Sequence, residues 1–72
     1  MARVVFDYSK LKGKITEKCG SQKAFAKLLG VAESTLTSKL NCETYFTQPE
    51  IVRSVEILDI GIGKVALYFF TV

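Results

Sequence analysis

The chain has 72 residues, 49% of them apolar, which suits one small globular domain and is too apolar for a disordered tail. It holds no histidine, no paired-carboxylate signature and no nucleophile beside a base, so catalysis is disfavoured; its cysteines, Cys19 and Cys42, fit no metal spacing and read as free thiols filling small spaces. The net charge of +3 is uneven: residues 1–27 set Arg3, Lys10, Lys12, Lys14, Lys18, Lys23 and Lys27 against Asp7 and Glu17, whereas residues 28–72 set Lys39, Arg53 and Lys64 against five carboxylates.

Asp7 is placed to cap a first helix, with Phe6 and Leu11 at the spacing of a hydrophobic staple. Tyr8, Leu11, Ile15 and Cys19 recur at helical spacing as an inward stripe, Lys10, Lys14 and Lys18 share a separate flank, and Gly20 stops the helix. Ser21 starts a second helix with Ala24, Phe25, Leu28 and Leu29 as its apolar positions, and Gly30 ends it. Only Val31 separates that glycine from a third helical pattern, from about Ala32 to Leu40, which Asn41 and a polar stretch close. Thr47-Gln48-Pro49-Glu50 is a capping box for a fourth helix whose apolar face is Ile51, Val52, Val55 and Leu58. Beyond the break at 59–63, Val65, Phe69 and Phe70 suit a helix face, while Leu67 to Val72 suits an extended segment; a short helix with an extended tail is the preferred reading. Tyr45 and Phe46 are expected to close the core under the loop after the third helix, and Tyr68, Phe69 and Phe70 cannot all point inward. The expected fold is all-α: a compact four- to five-helix domain spanning residues 1–72.

The segment from about residue 21 to 41 carries the functional information. Ala26 is small where the third helix crosses the second, and Gly30 supplies the positive φ of a tight turn. Phe25, Leu29, Val31, Leu36 and Leu40 are the apolar plugs that fix a crossing of roughly 90–120°, the geometry of a helix-turn-helix. One helix then stands proud of the surface, as modules that enter a major groove require.

This spacing resembles the helix-turn-helix of the phage Cro and CI repressor superfamily. The wider run, from Phe6-Asp-Tyr-Ser-Lys-Leu-Lys-Gly-Lys-Ile through Phe25-Ala to Phe46-Thr-Gln and Tyr68-Phe-Phe, is similar to the small Cro-like regulators of temperate phages of Gram-positive bacteria, most nearly the modulator-of-repression antirepressors of lactococcal phages. The resemblance implies a lambda-repressor-like fold and a regulator of the lysis–lysogeny switch, acting in the cytoplasm of a bacterial host without a cofactor. It also implies a partner: members of this type oppose the phage CI repressor by binding it directly.

Carried over residue by residue, Gln22 and Lys23 take the phosphate-contacting start of the second helix, and Glu33, Ser34, Thr35, Thr37, Ser38 and Asn41 lie on or beside the outward face of the third. Two departures weaken DNA reading. Ala32 stands where a capping serine or threonine is usual, and Lys39 is the third helix's only basic residue, with no arginine to contact guanine. Lys10, Lys14, Lys18 and Lys27, with Lys23, form either a solvated face or a phosphate track. Glu33, Glu43, Glu50, Glu56 and Asp59 form a candidate acidic face for the amino-terminal domain of a CI-type repressor, partly mimicking DNA charge. The sequence therefore places an antirepressor ahead of a Cro-like repressor that reads duplex DNA, with no membrane or small-molecule partner. Met1 to Phe6 lacks the apolar core of a signal peptide, and Val65 to Phe70 is too short to cross a bilayer.

Overall fold

The computed structural model describes residues 5–72; Arg3, counted above with the basic half, and the first four residues of the expected domain lie outside them. Helices α1 (Ser9–Cys19), α2 (Gln22–Leu29), α3 (Glu33–Leu40) and α4 (Gln48–Leu58) are followed by a 3₁₀ turn, Ile62–Lys64, and a short α5 (Val65–Phe69). No strand occurs among the described residues, and the fold is all-α. No helix of the described residues is long and apolar enough to cross a membrane.

Local chemistry sets the helix boundaries. Asp7 Oδ1 accepts the Ser9 backbone N–H at 3.0 Å and the Ser9 hydroxyl at 2.6 Å, although the helix proper begins after Tyr8. Ser21 Oγ accepts the Ala24 N–H at 3.1 Å, so α2 is capped where its sequence predicts. At α4 the capping box closes in both directions: Glu50 N–H donates to Thr47 Oγ1 at 3.3 Å, and Thr47 N–H donates to Glu50 Oε1 at 2.8 Å. Gly30, at φ 88°, takes the left-handed conformation that ends α2, and its N–H and that of Val31 both reach the Ala26 carbonyl. The last segment forms the short helix Val65–Phe69 and then leaves the helix, as the preferred reading has it, and its tail is stapled back to the start where Asp7 N–H donates to the Thr71 carbonyl at 2.7 Å.

Helix α2 is the centre of the packing, touching α1, α3 and α4, while α1 also meets α4 and α5. Tyr8, Leu11, Ile15, Phe25, Ala26, Leu29, Leu36, Leu40, Leu58 and Phe69 are buried in one cluster. Burying each large aliphatic side chain there contributes about 1.5–3 kcal/mol. Both cysteines are free thiols; Cys42 is buried and Cys19 half-buried. Phe6 N–H points at Cys42 Sγ from 3.2 Å.

Two expected core positions are corrected. Leu28 is 52% exposed and Val52 59% exposed, whereas Ser54 is fully buried. Leu28 and Val52 each lie two residues from a buried position, Ala26 and Ser54, and so about 200° around the helix axis from it. The Ser54 hydroxyl is satisfied locally, donating to the Glu50 carbonyl at 2.7 Å, which is how a polar side chain occupies the inner row of α4 without cost to hydrogen bonding. Of the terminal aromatics, Phe69 points inward and Phe70 is half exposed, as three consecutive rings require.

Candidate functional site

A three-residue turn, Gly30 to Ala32, joins α2 to α3, giving a helix, a tight turn and a helix over residues 22–40. Leu36 and Leu40 hold the inner face of α3 in the core together with Phe25, Ala26 and Leu29 of α2, while Val31 packs against the same cluster from the turn. The outer face is left to solvent: Glu33, Ser34, Thr35, Thr37 and Asn41 are exposed and Ser38 is half-buried. No side chain caps α3: Ala32, the residue before its first turn, has no group to accept a backbone N–H. The Thr37 hydroxyl turns back onto its own helix, donating to the Glu33 carbonyl at 3.0 Å, which lowers its availability as an outward donor.

Lys39 does not belong to that outer face. It is buried, and its Nζ lies 2.9 Å from Glu50 Oε1 and donates to the Tyr45 carbonyl at 3.0 Å, with the Phe46 ring 5.9 Å away. The polar loop after α3 brings the Tyr45 carbonyl to this ammonium, so the expected base-reading lysine is corrected to a structural one. The same contact removes Glu50 from the acidic docking candidates. Burial pushes its carboxyl up, but the Thr47 backbone N–H and the Lys39 ammonium outweigh burial and hold it below the ordinary carboxylate range. The α3 outer face thus carries no cation at all, and one carboxylate, Glu33.

The other expected residues fall into two groups. Lys10, Lys18, Lys23 and Lys27 are exposed on α1 and α2 with no ion pair among the described residues, whereas Lys14 is half-buried and paired to Glu17 at 3.4 Å. Gln22 is half-buried at the start of α2. Glu33, Glu43, Glu56 and Asp59 are exposed and make no ion pair among the described residues. They are spread over α3, the following loop and α4, and Asp59 is the residue that caps the end of α4.

Sequence patterns missed two apolar grooves. The first, about 310 Å³, is lined by Phe6, Tyr8, Tyr45, Phe46, Ile51, Phe69 and Phe70. Its rings meet edge to face, Phe46 against Phe69 at 5.4 Å and against Tyr8 at 5.7 Å between centroids. Burial, reinforced by Cys42 and Tyr45, pushes the Tyr8 hydroxyl up to about 12. The second groove, about 250 Å³, is lined by Ile51, Val52, Val55, Glu56, Ile62 and Val65. Val52, taken for a core position, is a groove wall instead, and Ile62 is 87% exposed beside it. The signal available in the sequence was a surplus: α4 carries more apolar side chains than one buried stripe accommodates.

Comparison with known proteins agrees over nearly the whole length. The family described as "Protein of unknown function (DUF739)" matches residues 4–72. The solution structure of the modulator of repression (MOR) of the temperate bacteriophage TP901-1 from Lactococcus lactis is 40% identical in sequence. It superposes with a TM-score of 0.81, the match covering 96% of this chain and 93% of that one. No curated protein matches the chain.

Proposed function

This chain belongs to the DUF739 family and to the family of the phage modulator of repression, and from that premise we propose that it is an antirepressor of a lysis–lysogeny switch. It binds a CI-type repressor through the repressor's amino-terminal, DNA-reading domain and occludes that domain from its operator. It regulates transcription without catalysis, inside the bacterial host. The observation that carries the reading is the fate of Lys39. A helix that would read bases has lost its only cation to an ion pair with Glu50, while its exposed positions hold Ser34, Thr35 and a repelling Glu33. Such a face is poorly suited to phosphate-lined grooves and better suited to a protein partner whose own reading surface is basic. The similarity to a modulator of repression favours the same reading.

Size-exclusion chromatography with the cognate CI-type repressor, beside a gel shift on the control region, tests it. A stable complex, and release of operator DNA from the repressor when this protein is added, are the expected results. Failure of any complex to form returns the chain to the second reading, a Cro-like repressor that binds duplex DNA. That reading is favoured by one observation, the exposed and unpaired Lys10, Lys18, Lys23 and Lys27 on α1 and α2.

A further inference from the structure

We draw no further inference here: the strongest candidate, the apolar cleft between α4 and the 3₁₀ turn lined by Val52, Val55, Ile62 and Val65, has exposed charges of both signs beside it in Glu56, Arg53 and Lys64, and nothing in the structure shows what covers it.

Discussion

The Lys39 ammonium and the Glu50 carboxylate meet at 2.9 Å, joining the end of α3 to the first turn of α4. Packing between helices holds α3 chiefly against α2, and this pair adds a polar tie to the fourth helix. The ammonium also takes the Tyr45 carbonyl, and the carboxylate also takes the Thr47 N–H; two capping groups and the loop between them therefore share one pair of charges. Desolvation makes such a pair a poor source of net stability, but leaving either charge alone is costly.

A double-mutant cycle reads that asymmetry. Lys39→Met leaves Glu50 in a partly buried site without its cation and is expected to cost about 2 kcal/mol, below the figure for a fully buried pair because Glu50 retains solvent contact. Adding Glu50→Gln should return part of the loss, with a coupling of about 1–3 kcal/mol from urea melts. Additive effects would mean the two charges do not interact in solution.

Acid should weaken the fold through the same site. The folded Glu50 carboxyl lies below its ordinary value of 4.5, so its contribution is complete above that pH. As pH falls below 4.5 the unfolded chain takes up the proton first, and the contribution is lost as pH passes through the depressed folded value. Asp7, also held low by its bonds from Ser9, acts in the same direction. Melting temperatures across this range should fall more steeply for the unmodified chain than for Glu50→Gln; parallel curves would count against the ion pair.

The α2–α3 turn sets a second stability test. Gly30 has φ 88°, where a β-branched residue is strained, so Gly30→Val is expected to cost about 1–3 kcal/mol. Leu36 is fully buried, and Leu36→Ala should cost about 2–5 kcal/mol. In a domain this small each kcal/mol lowers the melting temperature by roughly 4–8 °C. Scanning calorimetry on the two variants checks both values.

Binding of DNA, where it occurs, should be led by the lysines of α1 and α2. Neutralising Lys10, Lys18, Lys23 or Lys27 should each weaken binding equally on operator and random fragments and reduce the salt slope by about one unit. Lys39→Met should leave the slope unchanged, because its ammonium is engaged with Glu50 and Tyr45. Fluorescence anisotropy over a salt series distinguishes the two classes, and a slope change for Lys39→Met would contradict its burial.

Ionisation of the tyrosines gives a check on the aromatic groove. Tyr8, pushed up to about 12 by burial, should contribute an ionisation step well above the ordinary 10 in an ultraviolet difference titration, and Tyr8→Phe should remove that step. Its raised value also means that its contribution is complete below the ordinary 10 and lost as pH rises toward 12, so alkaline unfolding should be shifted by Tyr8→Phe.

What the sequence by itself determined is local. Ser21, Gly30, Gly20 and the Thr47–Glu50 box act within one helical turn of their own positions, so their chemistry places helix ends before any tertiary contact exists. The stripe of Tyr8, Leu11 and Ile15 and the plugs Phe25, Leu29 and Leu36 follow from helical periodicity and were legible for the same reason. What only the tertiary structure decided is which of several suitable side chains meets a neighbour. Helix α4 carries more apolar residues than its inner row holds, and packing against α1 and α2 put Ser54 inside and left Val52 for a groove wall. Lys39 lies about 60° from Leu36 and about 100° from Leu40 on a helical wheel, at the edge of the inner face, so periodicity alone does not decide whether it joins the exposed reading face or the core. Its burial depends on the loop closing over it and on a carboxylate eleven residues away, and no local pattern records a contact whose partners meet only when α3 and α4 pack.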